Sequence, residues 1–314
     1  NGDGTYSWKN GTPTAIKYPT FQPLTYSMNY ITFQDAFNLT RALTEENNIY
    51  GFNSNNTDTH LMKDSEWGMV AYFSQSQYGL NGANISMNSI SLNSGGSSMT
   101  KEEGNTLASV YAVTGCTTAA PDADEQIVTN FNTIKNLTGN NPTTDRVYVW
   151  NQVQGQTASS SGNMYGIYDL SGGVWEKTAS YISNGWQKES VIWDGSSYIK
   201  NEYLMQYVHD SQYDNTGIEE DPVGESERID AASVANYALE ENARIYGNAM
   251  HETSSAGVGE TSWYMNYSRF VGLNEPLSSR GGSFKVNNGA GIFFFNHDEG
   301  KALSNGGFRP VVVV

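Results

Sequence analysis

The chain has 314 residues, 38% hydrophobic and 12% aromatic, enough to bury a sizeable core, while only 16% are charged. Its net charge of −16 argues against nucleic acid, which needs basic clusters to neutralise phosphates, and against an anionic membrane surface. Cys116 is the sole cysteine, which rules out an intrachain disulfide and a cysteine-based zinc site.

No run of 18 apolar residues and no signal-peptide pattern is present, so no membrane insertion is expected from this segment. The uncharged remainder, rich in Asn, Ser, Thr and Gly, leans toward an extracellular, cell-surface or virion location.

Residues 1 to 30 are turn-rich, with Pro13, Pro19 and Pro23 set among Trp8, Tyr18, Phe21 and Tyr26. Short strands and an extended wrap suit them better than helix. The spacing predicts a first helix over Thr32 to Glu46: Thr32 and Asp35 make a capping-box-like start, and Phe33, Ala36, Phe37, Thr40 and Leu43 share one face. A second helix is predicted over about 64–76, opened by Asp64 and carrying Trp67, Val70, Ala71 and Ser74 at helical spacing. Residues 80–162 read as long loops with short strands, including Val147 to Val153.

In Asn163 to Lys177, Gly172-Gly173 predicts a tight turn, with a strand starting at Val174-Trp175. Residues 201–260 are strongly acidic, with a helix predicted from Ala231 to Tyr246 behind an Asp230 cap. The run Glu219 to Glu227 reads first as a solvated loop; calcium is the alternative, although the EF-hand spacing is missing. No repeat or linker is seen, so the expectation is one domain over 1–314, with loop insertions at about 80–162 and 201–260.

In the C-terminal stretch, Ala290 to Phe295 reads as a strand. Side-chain alternation then puts Phe293 and Phe295 on a buried face and Ile292, Phe294 and Asn296 on a displayed one. Aromatic side chains beside Asn and Ser make good contact surfaces, because they bring large area at low entropic cost. Arg280 and Arg309 bracket this stretch and are expected to hold loop carbonyls or carboxylates inside the fold. The final valines predict a strand opened by Pro310, with the two terminal segments close together.

Four ordered segments carry a resemblance: the helix at Thr32 to Leu43, His60-Leu-Met-Lys-Asp-Ser-Glu-Trp67, Tyr165-Gly-Ile-Tyr-Asp-Leu-Ser-Gly-Gly-Val-Trp-Glu176, and Arg280-Gly-Gly-Ser-Phe followed by Gly307-Phe-Arg309. Together the set resembles the formylglycine-generating-enzyme-like (sulfatase-modifying-factor) branch of the C-type lectin fold. The resemblance implies an α+β domain, a short twisted antiparallel sheet with two main helices and long loops.

Enzymes of that branch use a cysteine pair after the Arg-Gly-Gly segment. Here that region has none, and Cys116 lies far upstream. The ending Arg280-Gly-Gly, Ala290-Gly-Ile-Phe-Phe-Phe and Gly307-Phe-Arg309 is similar instead to the non-catalytic variable proteins of diversity-generating retroelements. The expectation is therefore a non-enzymatic, surface-displayed protein of adhesion or receptor recognition, with a protein or glycan ligand on a cell surface. The alternative is a formylglycine-generating-type oxidase or related enzyme lacking the usual cysteine pair.

The resemblance and the alternation together nominate Ser283, Lys285, Asn287, Asn288, Ile292, Phe294, Asn296, His297, Glu299 and Lys301 as ligand-binding residues. No catalytic residue, metal site or cofactor is expected. The four histidines show no metal-ligand spacing, and Gly-x-Ser-x-Gly is missing.

Overall fold

The computed structural model describes residues 19, 21–23, 25, 27–46, 48–88, 91–93, 110–117, 148–182, 203–207, 246–255, 258–272, 275–284 and 289–314. The acidic run at 219–227 and nearly all of the helix predicted behind Asp230 lie outside them.

Helix α1 is Phe33–Arg41. It starts where the sequence places it: Thr32 Oγ1 accepts from Asp35 N at 3.1 Å and donates to the Asp35 carboxylate at 2.6 Å. Phe33, Ala36, Phe37, Leu39 and Thr40 form its buried face. The predicted helix ends early, because Ala42–Thr44 tighten into a 3₁₀ turn and Glu45 is already extended.

Strand β1 is Asp58–Leu61 and helix α2 is Asp64–Gln75. The Glu66 side chain reaches back to accept from Lys63 N at 2.8 Å, closing the helix start. Trp67, Ala71 and Ser74 are buried along the inner face.

The remaining strands are β2 Ser91–Asn93, β3 Val110–Ala112, β4 Cys116–Thr117, β5 Tyr148–Val149, β6 Trp175–Ile182, β7 Met205–Tyr207, β8 Val258–Gly259, β9 Ser268–Arg269, β10 Leu277–Arg280, β11 Phe295–Asp298, β12 Gly306–Phe308 and β13 Pro310–Val313. Of the strand predicted over Val147 to Val153, only β5 forms among the described residues, and Val147 lies outside them. Gln152 N turns back onto Val149 O at 2.8 Å.

The seven-stranded sheet runs β12-β6-β10-β11-β9-β8, with β7 also on β6. Its centre, β6-β10-β11, is antiparallel as expected, but β12 and β7 run parallel to β6, and β9 runs parallel to β11. The sheet is therefore mixed. The molecule is α+β, with two helices and small antiparallel and mixed sheets.

The valine run pairs as expected, but away from the main sheet. β13 lies antiparallel on β1, from Pro310 opposite Leu61 to Val313 opposite Asp58. Leu303, Ser304 and Gly300 carbonyls accept from Tyr30 N (2.9 Å), Asn29 Nδ2 (2.6 Å) and Phe33 N (2.9 Å), so the entry to α1 is laced to the C-terminal segment.

Two of the buried clusters tie the helices to these elements. Ile31, Phe33, Ala36, Phe37, Leu39, Leu61, Ala179 and Leu277 join α1 to β1, β6 and β10. Met62, Trp67, Ala71, Ile85, Leu170, Ala249, Ile292 and Phe293 join α2 to the C-terminal segment.

The predicted strand at Ala290 to Phe295 does not form. Residues 289–294 turn, and the strand starts only at Phe295. The backbone there finds partners other than a ladder. Phe294 N donates to Gly291 O (2.9 Å), Phe293 N to Asn266 Oδ1 (3.0 Å), and the Trp67 indole to Ile292 O (2.7 Å). Without a ladder there is no alternation, and residues 290–295 are all buried.

Candidate functional site

The motif residues build a buried polar frame. Arg280 is fully buried; its Nη1 donates to Asn248 O at 2.9 Å and its Nη2 to Ala249 O at 3.1 Å. Asp64 lies 3.6 Å from it and accepts from Thr178 Oγ1 and from the Tyr207 hydroxyl, each at 2.9 Å. Burial, and then the Asp64 charge, push the Tyr207 phenol well above its ordinary pKa.

Arg309 makes a forked pair with Glu176: Nε donates at 2.8 Å and Nη2 reaches the other oxygen. Nη2 also donates to Tyr168 O at 2.9 Å. Burial raises the Glu176 carboxyl, an effect that Arg309 partly offsets. Both arginines thus take the role expected from the sequence.

A second buried pair crosses the sheet: Lys177 Nζ lies 2.9 and 3.1 Å from the Asp298 oxygens. His60 sits between Asp58 (2.7 Å) and Glu66 (2.8 Å). Burial acts to lower the His60 pKa, but its two carboxylate partners outweigh burial and leave it raised.

The expected display residues do not form one exposed surface. Ser283, Ile292 and Phe294 are buried, Ile292 beside Trp67 in the core and Phe294 against the Tyr267 ring at 5.9 Å. The reason is the turn at 289–294, which folds both side chains inward. His297 is also buried, with Nδ1 paired to Glu275, and Asn296 is half-buried. Glu299 pairs with Lys301, and of the described nominees only Lys301 is well exposed. Lys285, Asn287 and Asn288 lie outside the described residues.

An exposed apolar surface lies one layer further out. A short 3₁₀ turn, Trp263–Met265, sits on Phe293, with Trp263 and Tyr264 ring centroids 5.1 and 6.0 Å from it. Trp263 is 46% exposed and Met265 65%. Tyr264 and Met265 both have φ of 60°, a conformation that non-glycine residues adopt only when their surroundings over-determine it.

Here the determinants are visible. The Tyr264 hydroxyl is within hydrogen-bond reach of Gln75 Oε1 and of Gly82 O (2.6 Å), while Asn266 N donates to Trp263 O at 3.2 Å. Trp263 meets Tyr72 edge-on at 6.3 Å. One helical position round from Tyr72, Met69 and Phe73 are 62% and 43% exposed on the outer face of α2. Sequence reasoning missed this platform because a five-residue turn carries no periodicity. The available signal was an aromatic-methionine run bounded by Ser262 and Asn266.

Among the described residues, no cluster of three or more His, Cys, Asp or Glu is placed to hold a metal ion, and no helix is long and apolar enough to cross a membrane. No protein-family model matches the chain, and no curated protein matches it.

Proposed function

We propose that the chain is a non-catalytic recognition module of the C-type lectin fold, displayed outside the cell or on a virion, that binds a protein through the Trp263–Met265 turn and the outer face of α2. The observation that carries this reading is the held, left-handed turn that keeps Trp263 and Met265 exposed on a buried Phe293 base. Contiguous exposed apolar side chains of this kind mark interaction sites.

A protein ligand suits the platform better than a glycan. The polar atoms beside it are already engaged: the Tyr264 hydroxyl with Gln75 and Gly82, and the Asn266 side chain with Phe293 N. What remains is aromatic rings and two methionines, which adapt to apolar side chains. Glu252, whose charge acts on the Tyr72 hydroxyl, accepts from Ala249 N at 3.0 Å, and the chain carries −16 overall. The partner surface is therefore apolar at its centre and basic at its edge, which disfavours a second copy of this chain.

The fold reading is supported by the Arg309–Glu176 fork, the buried Arg280 and the antiparallel pairing of β13 with β1. Sole Cys116 is buried in β4, far in sequence from the C-terminal segment where the branch's enzymes carry their pair.

The test is a screen of the purified protein against arrays of cell-surface proteins and glycans, repeated with Trp263→Ala/Met265→Ser. Because both side chains are substantially exposed, the melting temperature should hold, while binding to the identified protein falls about a hundredfold, as loss of a central aromatic anchor does. Unchanged binding by the folded variant, or a hit confined to glycans, would overturn the reading.

A further inference from the structure

On a different part of the molecule, Tyr168, Asp169 and Glu176 of the Tyr165–Glu176 segment meet Arg309 on the lining of a cleft of about 660 Å³. The walls are mostly apolar, with Phe21, Pro23, Trp150, Met164, Ile167 and Phe308 among them, beside Gln22, Thr25, Ser27 and Thr114. Phe21, Met164 and Ile167 are 52%, 37% and 38% exposed, so the apolar lining is open to solvent. Apolar walls with a few convergent polar groups are the usual make-up of a small-ligand site.

The polar groups define what such a ligand must carry. Asp169 Oδ1 accepts from Asn88 Nδ2 at 2.7 Å and Oδ2 from Gly115 N at 3.0 Å, while both Glu176 oxygens accept from Arg309. The carboxylates are thus already committed to the fold. Arg309 spends Nε and Nη2 on Glu176 and Tyr168. No described residue accepts from its Nη1, and 23% of the side chain is exposed. Nη1 carries two N–H donors. The site therefore offers donors to one incoming acceptor, among two carboxylates and one guanidinium.

That balance selects against an anion, which would meet a net negative lining. It also selects against a sugar, whose hydroxyls would face mostly apolar walls on which the Thr25 and Thr114 hydroxyls are already spent on Gln22 O. We infer that the cleft binds a short, uncharged apolar peptide segment, with one backbone carbonyl accepting from Arg309 Nη1 and its side chains packed between Phe21, Trp150, Met164 and Ile167. A neutral carbonyl takes the free donors without adding charge, and apolar side chains replace water on the walls.

The experiment is calorimetric titration of the full chain with a tripeptide of aliphatic and prolyl residues, blocked by an N-acetyl and a C-terminal amide. The same tripeptide with a free carboxylate and the disaccharide of N-acetylglucosamine are titrated alongside. The blocked tripeptide should saturate the protein at millimolar concentrations or below. Ile167→Asp and Met164→Asp, both at partly exposed wall positions, should each weaken it about tenfold with an unchanged melting temperature. Met265→Ser, on the other surface, should leave it unaltered. Failure of the blocked tripeptide to saturate, tighter binding of the carboxylate or the disaccharide, or wild-type affinity in both folded wall variants would overturn the assignment.

Discussion

Phe293 and Phe294 are adjacent, and alternation would send them to opposite faces, yet 0% and 2% of their surfaces are exposed. Truncating either to Ala should therefore cost about 3–5 kcal/mol in urea unfolding, by the cavity each leaves. A Phe294→Ala variant with wild-type stability would show that this ring is not packed. His60 makes a second case at this scale. Its pKa is raised, so the folded state holds the proton more tightly than the unfolded chain does. The stabilisation is fully present below the ordinary histidine value of about 6.5 and is lost as pH rises through the raised folded value. The stability gap between wild type and His60→Gln should accordingly narrow as pH rises from about 6.5 through the raised folded value; a gap that widens would mean the imidazole is held neutral. The buried Lys177–Asp298 pair was not legible in the sequence, because its partners are 121 residues apart. The Arg280 and Arg309 roles were, because a planar five-donor fork suits holding carbonyls and carboxylates inside a fold.

Elements were legible where a local signal decides them. Thr32 caps α1, Asp64 opens α2, Gly172-Gly173 precedes β6, and Pro310 starts β13. The turn at 289–294 was not legible, because its backbone is satisfied by Asn266 and by Trp67, the latter 225 residues away. A Phe-rich run reads as a strand until those partners are known. This explanation has its own test. A Cβ on Gly291 would lie 2.1 Å from Asn266 Oδ1, so Gly291→Ala should destabilise by about 1–3 kcal/mol through overpacking. Equal stability would mean that the Asn266 contact does not shape the turn. The β1–β13 ladder is tested separately. Removing residues 311–314 should speed hydrogen exchange across Thr59 to Leu61, and unchanged protection there would contradict the pairing.

At the scale of the molecule, the C-terminal segment lies beneath the exposed Trp263–Met265 turn, the surface that the proposed function assigns to recognition. Ile292 and Phe293 lock to α2 through the Trp67 indole, and Phe293 carries Trp263 and Tyr264 on its outer side. Ile292 and Phe294, read from the sequence as displayed, are buried. Which residues face out depends on how the 262–266 turn lies over Phe293, and that is a tertiary fact. The measurement that tests this most directly is amide hydrogen exchange with and without the protein partner found by array screening. Exchange should slow at residues 262–266 and along α2 from Met69 to Gln75, with Glu299 to Lys301 unchanged. Protection confined to Glu299–Lys301, with none over the Trp263–Met265 turn, would contradict it.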